Sequence, residues 1–217
     1  MYRNEAEVGQ AVTAAVEDGV IRSRSEVHIT TKLTPKAHVS LEAAEAELQG
    51  CLARLNVGAG VDTVLIHWPG TGGRPREDAD NAQRRLVTWR MLLAAQSHGQ
   101  AAALGVSNYT VAHLSEIEAA GLPLPSVNQV ELHPRLQQHE LRRWCAERHV
   151  AVQAYSPLGC GALLADATVC HVAKKHGVEV RGRGLSGMRR HAVCAPLGAS
   201  LVSVLLPLCS IPTPDLS

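Results

Sequence analysis

The alternation of short apolar segments with longer amphipathic segments constrains the fold of this chain most strongly. Runs of β-branched and apolar residues predict strands at 27–33, 61–68, 102–108, 126–133 and 150–158. Each run is followed by helical spacing, which predicts helices at 40–55, 81–98, 110–121, 138–149 and 166–177, after an opening helix at about 4–19. Ser40 and Thr110 are the predicted N-caps of two of these helices. Alternating strands and helices indicate an α/β protein with a parallel sheet.

A parallel sheet of this kind can be an open doubly wound sheet or a closed barrel. The open sheet usually carries G-x-G-x-x-G after its first strand, and this chain has no such motif. Its polar residues instead lie where the predicted strands end, which is the active-site face of a barrel. These residues are Lys32, His67, Ser107, Asn108, Gln129, Glu131, Tyr155 and Ser156. A barrel needs eight strands and five are predicted, so we expect an incomplete (β/α)8 TIM barrel.

Composition excludes several classes of function. The 217-residue chain has 21 basic and 20 acidic residues, contains no Phe, and is only 3% aromatic, so we expect no nucleic-acid partner and no membrane partner. The longest apolar segment, 199–211, is too short to span a bilayer, and no signal peptide is visible. The six cysteines form no CxxC pair, and His171 and His176 lack metal-ligand spacing. The sequence therefore predicts a cytoplasmic protein without a metal site.

Taken one at a time, the candidate site residues have ordinary structural explanations. A lysine at a strand end, such as Lys32, is commonly a surface residue, and His67 could be a hydrogen-bonded core histidine. Ser107 and Asn108 are residue types that form turns and cap helices. Their alternative role is to hold a polar planar ligand such as a carboxamide. The Gly-containing loop after Tyr155 could likewise approach a phosphate.

Six stretches in order resemble the aldo-keto reductase family of NADPH-linked carbonyl reductases. They are YRNEAEVG (2–9), ITTKL (29–33), LIHWP (65–69), GVSNY (105–109), NQVELHP (128–134) and AYSPLG (154–159). The resemblance covers residues 2–177, and it implies a (β/α)8 barrel. It also implies hydride transfer from NADPH to a small-molecule carbonyl substrate, an aldehyde or a ketone.

The resemblance implies a role for each matching residue. Tyr2 matches the tyrosine that protonates the carbonyl oxygen, and Lys32 matches the lysine that lowers the pKa of that tyrosine. A free phenol, with a pKa of about 10, is a weak acid at neutral pH, and a neighbouring ammonium group stabilises its anion. His67 matches the histidine that orients the carbonyl. The implied cofactor-binding residues are Ser107, Asn108 and Gln129 at the carboxamide, Tyr155 stacked on the nicotinamide, and Ser156 and Leu158 near the pyrophosphate.

The chain also departs from the family pattern. In the family an aspartate precedes the tyrosine, and an eighth strand is followed by a Lys-Ser pair and an arginine that bind the 2′-phosphate. We find neither feature in this chain, so we expect a truncated isoform with a partial barrel at 1–177 and an irregular, non-family tail at 178–217. We expect the chain to be a monomer. Two hypotheses remain for its function. One is an active reductase, and the other is an inactive family member that binds cofactor or a partner weakly.

Overall fold

The computed structural model describes residues 4–177 and 179–180, together with the backbone at 193–194 and 203–205. Five strands alternate with helices, as predicted. The strands are β1 (His28–Leu33), β2 (Val61–Ile66), β3 (Ala101–Ser107), β4 (Val127–Glu131) and β5 (Ala151–Tyr155). The helices are α1 (Glu5–Glu17), α2 (Leu41–Leu55), α3 (Asn81–Ser97), α4 (Val111–Ala119), α5 (His139–Glu147) and α6 (Ala167–Lys175).

Side-chain caps fix where several helices begin. The Ser40 hydroxyl accepts a hydrogen bond from the Ala43 amide at the start of α2, and Thr110 forms a capping box with His113 at the start of α4. Both caps were predicted. Asp166 caps α6 in the same way, by accepting from the Val169 amide at 3.0 Å. The caps use amide groups that would otherwise lack partners in the first helical turn.

The strands β1 to β5 lie side by side in chain order, and every neighbouring pair is parallel. Within the described residues the sheet continues at its two edges into short strands from the C-terminal region. β6 (Val193–Cys194) pairs in parallel with β5, and β7 (Ser203–Leu205) pairs antiparallel with β1. We predicted an irregular tail at 178–217 and no strand in it. β7 ends two residues before Pro207 and lies at a sheet edge, where a nearby proline is tolerated.

The two faces of the sheet have different characters. One face packs against the helices through an apolar core that includes Ile29, Leu33, Leu48, Trp89 and Leu92, all at most 1% exposed. The pairing register sets the other face, because paired residues project to the same side. On that face Lys32 is aligned with Leu65, Leu65 with Gly105, Gly105 with Val127, and Gln129 with Gln153. The register therefore brings polar side chains together on the face opposite the helices.

In the part of the chain that the structure describes, no helix is long and apolar enough to cross a membrane. No group of three His, Cys, Asp or Glu side chains in these residues could hold a metal ion.

Candidate active site

Polar side chains from the ends of all five parallel strands lie at the carboxyl edge of the sheet. Lys32 comes from β1, His67 follows β2, Ser107 ends β3 and Gln129 lies in β4. Tyr155 ends β5. Parallel strands present all their carboxyl ends at one edge, so residues distant in sequence become neighbours there. Hydrogen bonds link these residues, either directly or through Asn108.

Lys32 is held by a chain of hydrogen bonds through two glutamines. Its Nζ donates to Oε1 of Gln129 at 2.5 Å, and Nε2 of Gln129 donates to Oε1 of Gln153 at 2.8 Å. The lysine is 7% exposed, and burial lowers its pKa to about 8. No carboxylate among the described residues forms an ion pair with it. The ammonium group is thus held by the neutral amide of Gln129, and it loses its proton more readily than the ammonium group of a surface lysine would.

Asn108 connects three strands. It has a positive φ of 64°, an uncommon conformation that asparagine tolerates better than most residues. Its Nδ2 donates to the carbonyl of His67 at 2.9 Å and to the Ser107 hydroxyl at 3.1 Å. Its Oδ1 accepts from the hydroxyl of Tyr155 at 2.7 Å. The Ser107 hydroxyl in turn donates to the carbonyl of Gln129 at 2.8 Å, so these side chains form one connected network.

His67 contributes a buried imidazole to the same edge. The residue is 8% exposed, and its Nδ1 has no hydrogen-bond partner within the described part of the chain. Burial, with a smaller contribution from the positive charge of Lys32, lowers the pKa of His67 to about 4. The ring is therefore neutral at pH 7. The Trp68 indole, 42% exposed, lies beside it with 6.1 Å between the ring centroids.

The loop after Tyr155 has an unusual backbone. Ser156, Gly159, Cys160 and Gly161 all have positive φ, between 48° and 95°. The amides of Gly161 and Leu163 both donate to the carbonyl of Leu158, and the Gly159 amide donates to the carbonyl of Ser156. The result is a tight turn that leads into a short 3-10 segment, Gly159–Ala165. Ser156 and Leu158, the two predicted loop residues, are both half-buried.

The network links Lys32, Ser107, Asn108, Gln129 and Tyr155 by hydrogen bonds, and it reaches His67 through the backbone carbonyl. Tyr2 lies outside the described residues. Sequence reasoning missed Gln153, which completes the lysine network. A polar residue two positions before Tyr155 in an otherwise apolar strand was the available signal, since alternate residues share a face.

Comparison with known proteins identifies the family. A sequence profile described as "Aldo/keto reductase family" matches residues 1–182. An aldo-keto reductase of Mycobacterium sp. (strain MCS) is 39% identical over 180 residues, covering 82% of this chain and 57% of the relative. This chain belongs to the aldo-keto reductase family.

Solved structures agree with this assignment. An aldo-keto reductase of the silkworm, Bombyx mori, superimposes with a TM-score of 0.79 at 29% identity, over 92% of this chain and 63% of that one. A structure of an aldo-keto reductase in complex with NADPH gives a TM-score of 0.77 at 28% identity, over 91% and 62%. The chain therefore spans about three fifths of the length of these proteins.

Proposed function

We propose that this chain is an NADPH-dependent carbonyl reductase, in which hydride passes to the carbonyl carbon of an aldehyde or ketone and the Tyr2 hydroxyl protonates the oxygen. The supporting observation is the hydrogen-bonded set of Lys32, Asn108, Gln129 and Tyr155 beside the buried His67. These residues lie in, or directly after, five different strands. Packing of the apolar core alone does not require polar groups at this position. Membership in an oxidoreductase family supports the same reaction.

The chemistry of the site is compatible with a nicotinamide cofactor. A carboxamide needs both donors and acceptors, and the Ser107 hydroxyl with the Asn108 and Gln129 amides provides both. Tyr155 adds an aromatic ring next to Asn108, at 2.7 Å from its hydroxyl to Oδ1. These groups also bond to one another, so binding would exchange existing hydrogen bonds for new ones. When bound, NADPH would supply the hydride.

The chain's own residues would move and hold the proton. Lys32, with a pKa of about 8, remains mostly charged at pH 7 and would stabilise the anion that Tyr2 forms on giving up its proton. His67, with a pKa of about 4, would be a neutral imidazole that hydrogen-bonds the carbonyl oxygen. Ser156 and Leu158, at the turn after β5, would lie near the pyrophosphate, where positive φ values bring backbone close to a ligand.

The test uses the purified 217-residue chain with NADPH and a reactive aromatic aldehyde, and it follows the loss of NADPH absorbance. Tyr2→Phe removes the proton donor and should lower turnover about 10²- to 10⁴-fold, and Lys32→Met should also lower it. Lys36→Met, at an exposed site four residues from Lys32, is the matched control and should leave turnover unchanged.

A parallel titration of NADPH fluorescence separates binding from catalysis. Binding with no turnover would exclude the reductase proposal for this chain and would favour a non-catalytic cofactor-binding protein. Unchanged turnover in Tyr2→Phe would exclude Tyr2 as the acid. The outcome matters because the chain spans only 57% of the Mycobacterium relative.

A further inference from the structure

The turn after β2, residues His67, Trp68 and Pro69, has an unusual set of backbone contacts. Its three successive carbonyls each accept a hydrogen bond from a side chain in a different part of the chain. The carbonyl of His67 accepts from Asn108 at 2.9 Å, and that of Trp68 accepts from Nε2 of His38 at 3.1 Å. The carbonyl of Pro69 accepts from Nη1 of Arg85 at 2.9 Å. No peptide group in this turn can rotate without breaking a side-chain hydrogen bond.

His38 is itself fixed in one tautomer. A carbonyl can only accept, so Nε2 carries the proton and Nδ1 accepts from the Thr88 hydroxyl at 2.8 Å. The histidine is 1% exposed, and burial lowers its pKa to about 4, which keeps the ring neutral at pH 7. A neutral ring with one donor and one acceptor, both used, allows only one orientation in this site.

Arg85 is fixed by a charged pair with a carboxylate, whereas His38 is fixed by hydrogen bonds of a neutral ring. Its Nε and Nη2 donate to the carboxylate of Glu116 on α4 at 2.9 Å and 2.6 Å, which leaves Nη1 for the carbonyl of Pro69. The arginine is 7% exposed, and paired, two-point contacts of this type have well-defined geometry. The turn after β2 is therefore connected to both α3 and α4.

The side chains that this turn presents are the imidazole of His67 and the partly exposed indole of Trp68. Their directions depend on the backbone of residues 67–69, because each is attached to a peptide unit that the contacts above immobilise. Proton transfer and substrate orientation are sensitive to displacements of about 1 Å. Groups that hold such a backbone influence the reaction without touching the substrate.

We propose that His38 and Arg85 are positioning residues that hold His67 and Trp68 in the geometry the site requires. Only the expected effect on turnover rests on the proposed reductase function. The expected effect on the placement of His67 and Trp68 can be measured without any activity. Neither His38 nor Arg85 belongs to the hydrogen-bonded set around Lys32 and Gln129. Their contribution is therefore separable from cofactor binding by that set.

The first measurement uses the indole N–H signals of the three tryptophans in the ¹⁵N-labelled full chain. His38→Ala should shift or broaden the signal of Trp68. The signal of Trp144, on α5 and packed on Arg148 at 4.3 Å, is the internal reference and should stay unchanged. His38→Gln retains an amide donor and should restore the Trp68 signal towards that of the wild type. An unchanged Trp68 signal in His38→Ala overturns the proposal.

Arg85 provides the second variant and avoids dependence on one substitution. Arg85→Lys retains the positive charge opposite Glu116 but loses the planar guanidinium with its several N–H donors. Contact with the carbonyl of Pro69 should therefore be lost, and the Trp68 signal should change. Arg84→Lys is the matched control, since Arg84 is the neighbouring arginine and pairs at 3.4 Å with the exposed Asp80 at the start of α3 rather than with Glu116. Equal effects of the two lysine substitutions on Trp68 would overturn the assignment of Arg85.

The kinetic measurement distinguishes positioning from general destabilisation. With a small aldehyde, His38→Ala should lower kcat about tenfold or more at a nearly constant KM for NADPH, and His38→Gln should recover most of the loss. If the wild type shows no turnover, the proposed function fails and the indole signals still decide this proposal. If turnover is present and His38→Ala leaves kcat unchanged, the positioning role is excluded while the reductase function stands.

Discussion

Lys32 reaches across two strands to donate a hydrogen bond to Gln129, with 2.5 Å between Nζ and Oε1. The register places Lys32 in one row with Leu65, Gly105 and Val127, and Gln129 lies two residues beyond Val127. Gly105 has no side chain in this row. A Cβ there would lie 2.5 Å from both Leu65 Cδ2 and Val127 Cγ1. Because Gly105 has no side chain, Leu65 and Val127 pack closely against it, and the Lys32 side chain crosses the sheet beside them.

Burial of Lys32 predicts a distinctive pH dependence of stability. Its pKa is about 8 in the folded chain and 10.5 when exposed, so between these values the unfolded chain binds a proton that the folded chain does not. Unfolding then takes up a proton, and the free energy of unfolding should rise with pH across this interval, by about 3 kcal/mol in total. Below pH 8 the cost of burying the charge is fully present.

The Lys32 prediction is checked by urea unfolding of the wild type and of Lys32→Met across this range. Other groups titrate there too, but they contribute to both proteins, so the difference between the two free energies isolates the lysine. The free energy of unfolding of the wild type minus that of Lys32→Met should be constant below pH 8 and should increase above it. A constant difference throughout would show that Lys32 is not desolvated.

Gln153 should contribute to stability through the orientation of Gln129. Gln153→Leu leaves the buried Nε2 of Gln129 without its acceptor, which should lower the free energy of unfolding by about 1–3 kcal/mol. The matched control is Gln96→Leu, which loses one hydrogen bond to the carbonyl of Ala102 near the surface and should change stability by no more than about 0.5 kcal/mol. Similar losses in chemical denaturation of the two variants would contradict the prediction.

Much of this fold was predictable because its elements have strong local signals. The strands β1 to β5 are apolar runs bounded by turns, and the predicted caps Ser40 and Thr110 are those observed. The family resemblance is confirmed by the profile match to residues 1–182. The short strands β6 and β7 were not predicted, because two or three residues carry no measurable periodicity and depend on the edge that receives them.

The candidate site was predictable as a set of residues but not as a network. The resemblance identified Lys32 and Gln129 separately, whereas their direct contact depends on register and on Gly105. Nothing in the sequence indicated a role for His38, because a histidine within a short 3-10 turn is usually exposed. Its burial depends on the packing of Thr88 from α3. The assigned roles of these residues remain predictions, and the variants above test them.

The two buried histidines predict loss of stability in mild acid. His38 and His67 each have a pKa of about 4 in the folded chain, against 6.5 when exposed. Their contribution to the free energy of unfolding is fully present above pH 6.5. It is lost as the pH falls towards 4, because the histidines of the unfolded chain bind protons at a higher pH than those of the folded chain. Each accounts for about 3 kcal/mol over this interval. His38→Gln, which cannot titrate, should therefore show a shallower decline than the wild type in urea unfolding, and an identical decline would contradict burial of a neutral His38.

Two helical glycines should respond to alanine in opposite directions. A Cβ on Gly9 in α1 would lie 1.9 Å from the carbonyl oxygen of Leu55, so the backbones of α1 and α2 would have to separate. Gly9→Ala should lower the free energy of unfolding by about 1–3 kcal/mol, as other overpacking substitutions do. A Cβ on Gly50 in α2 meets only the flexible end of Arg54, at 3.0 Å, so Gly50→Ala should raise the free energy of unfolding by about 0.5–1 kcal/mol through helix propensity. Thermal or urea unfolding of both variants checks the pair, and a stabilising Gly9→Ala would show that α1 does not approach α2 so closely.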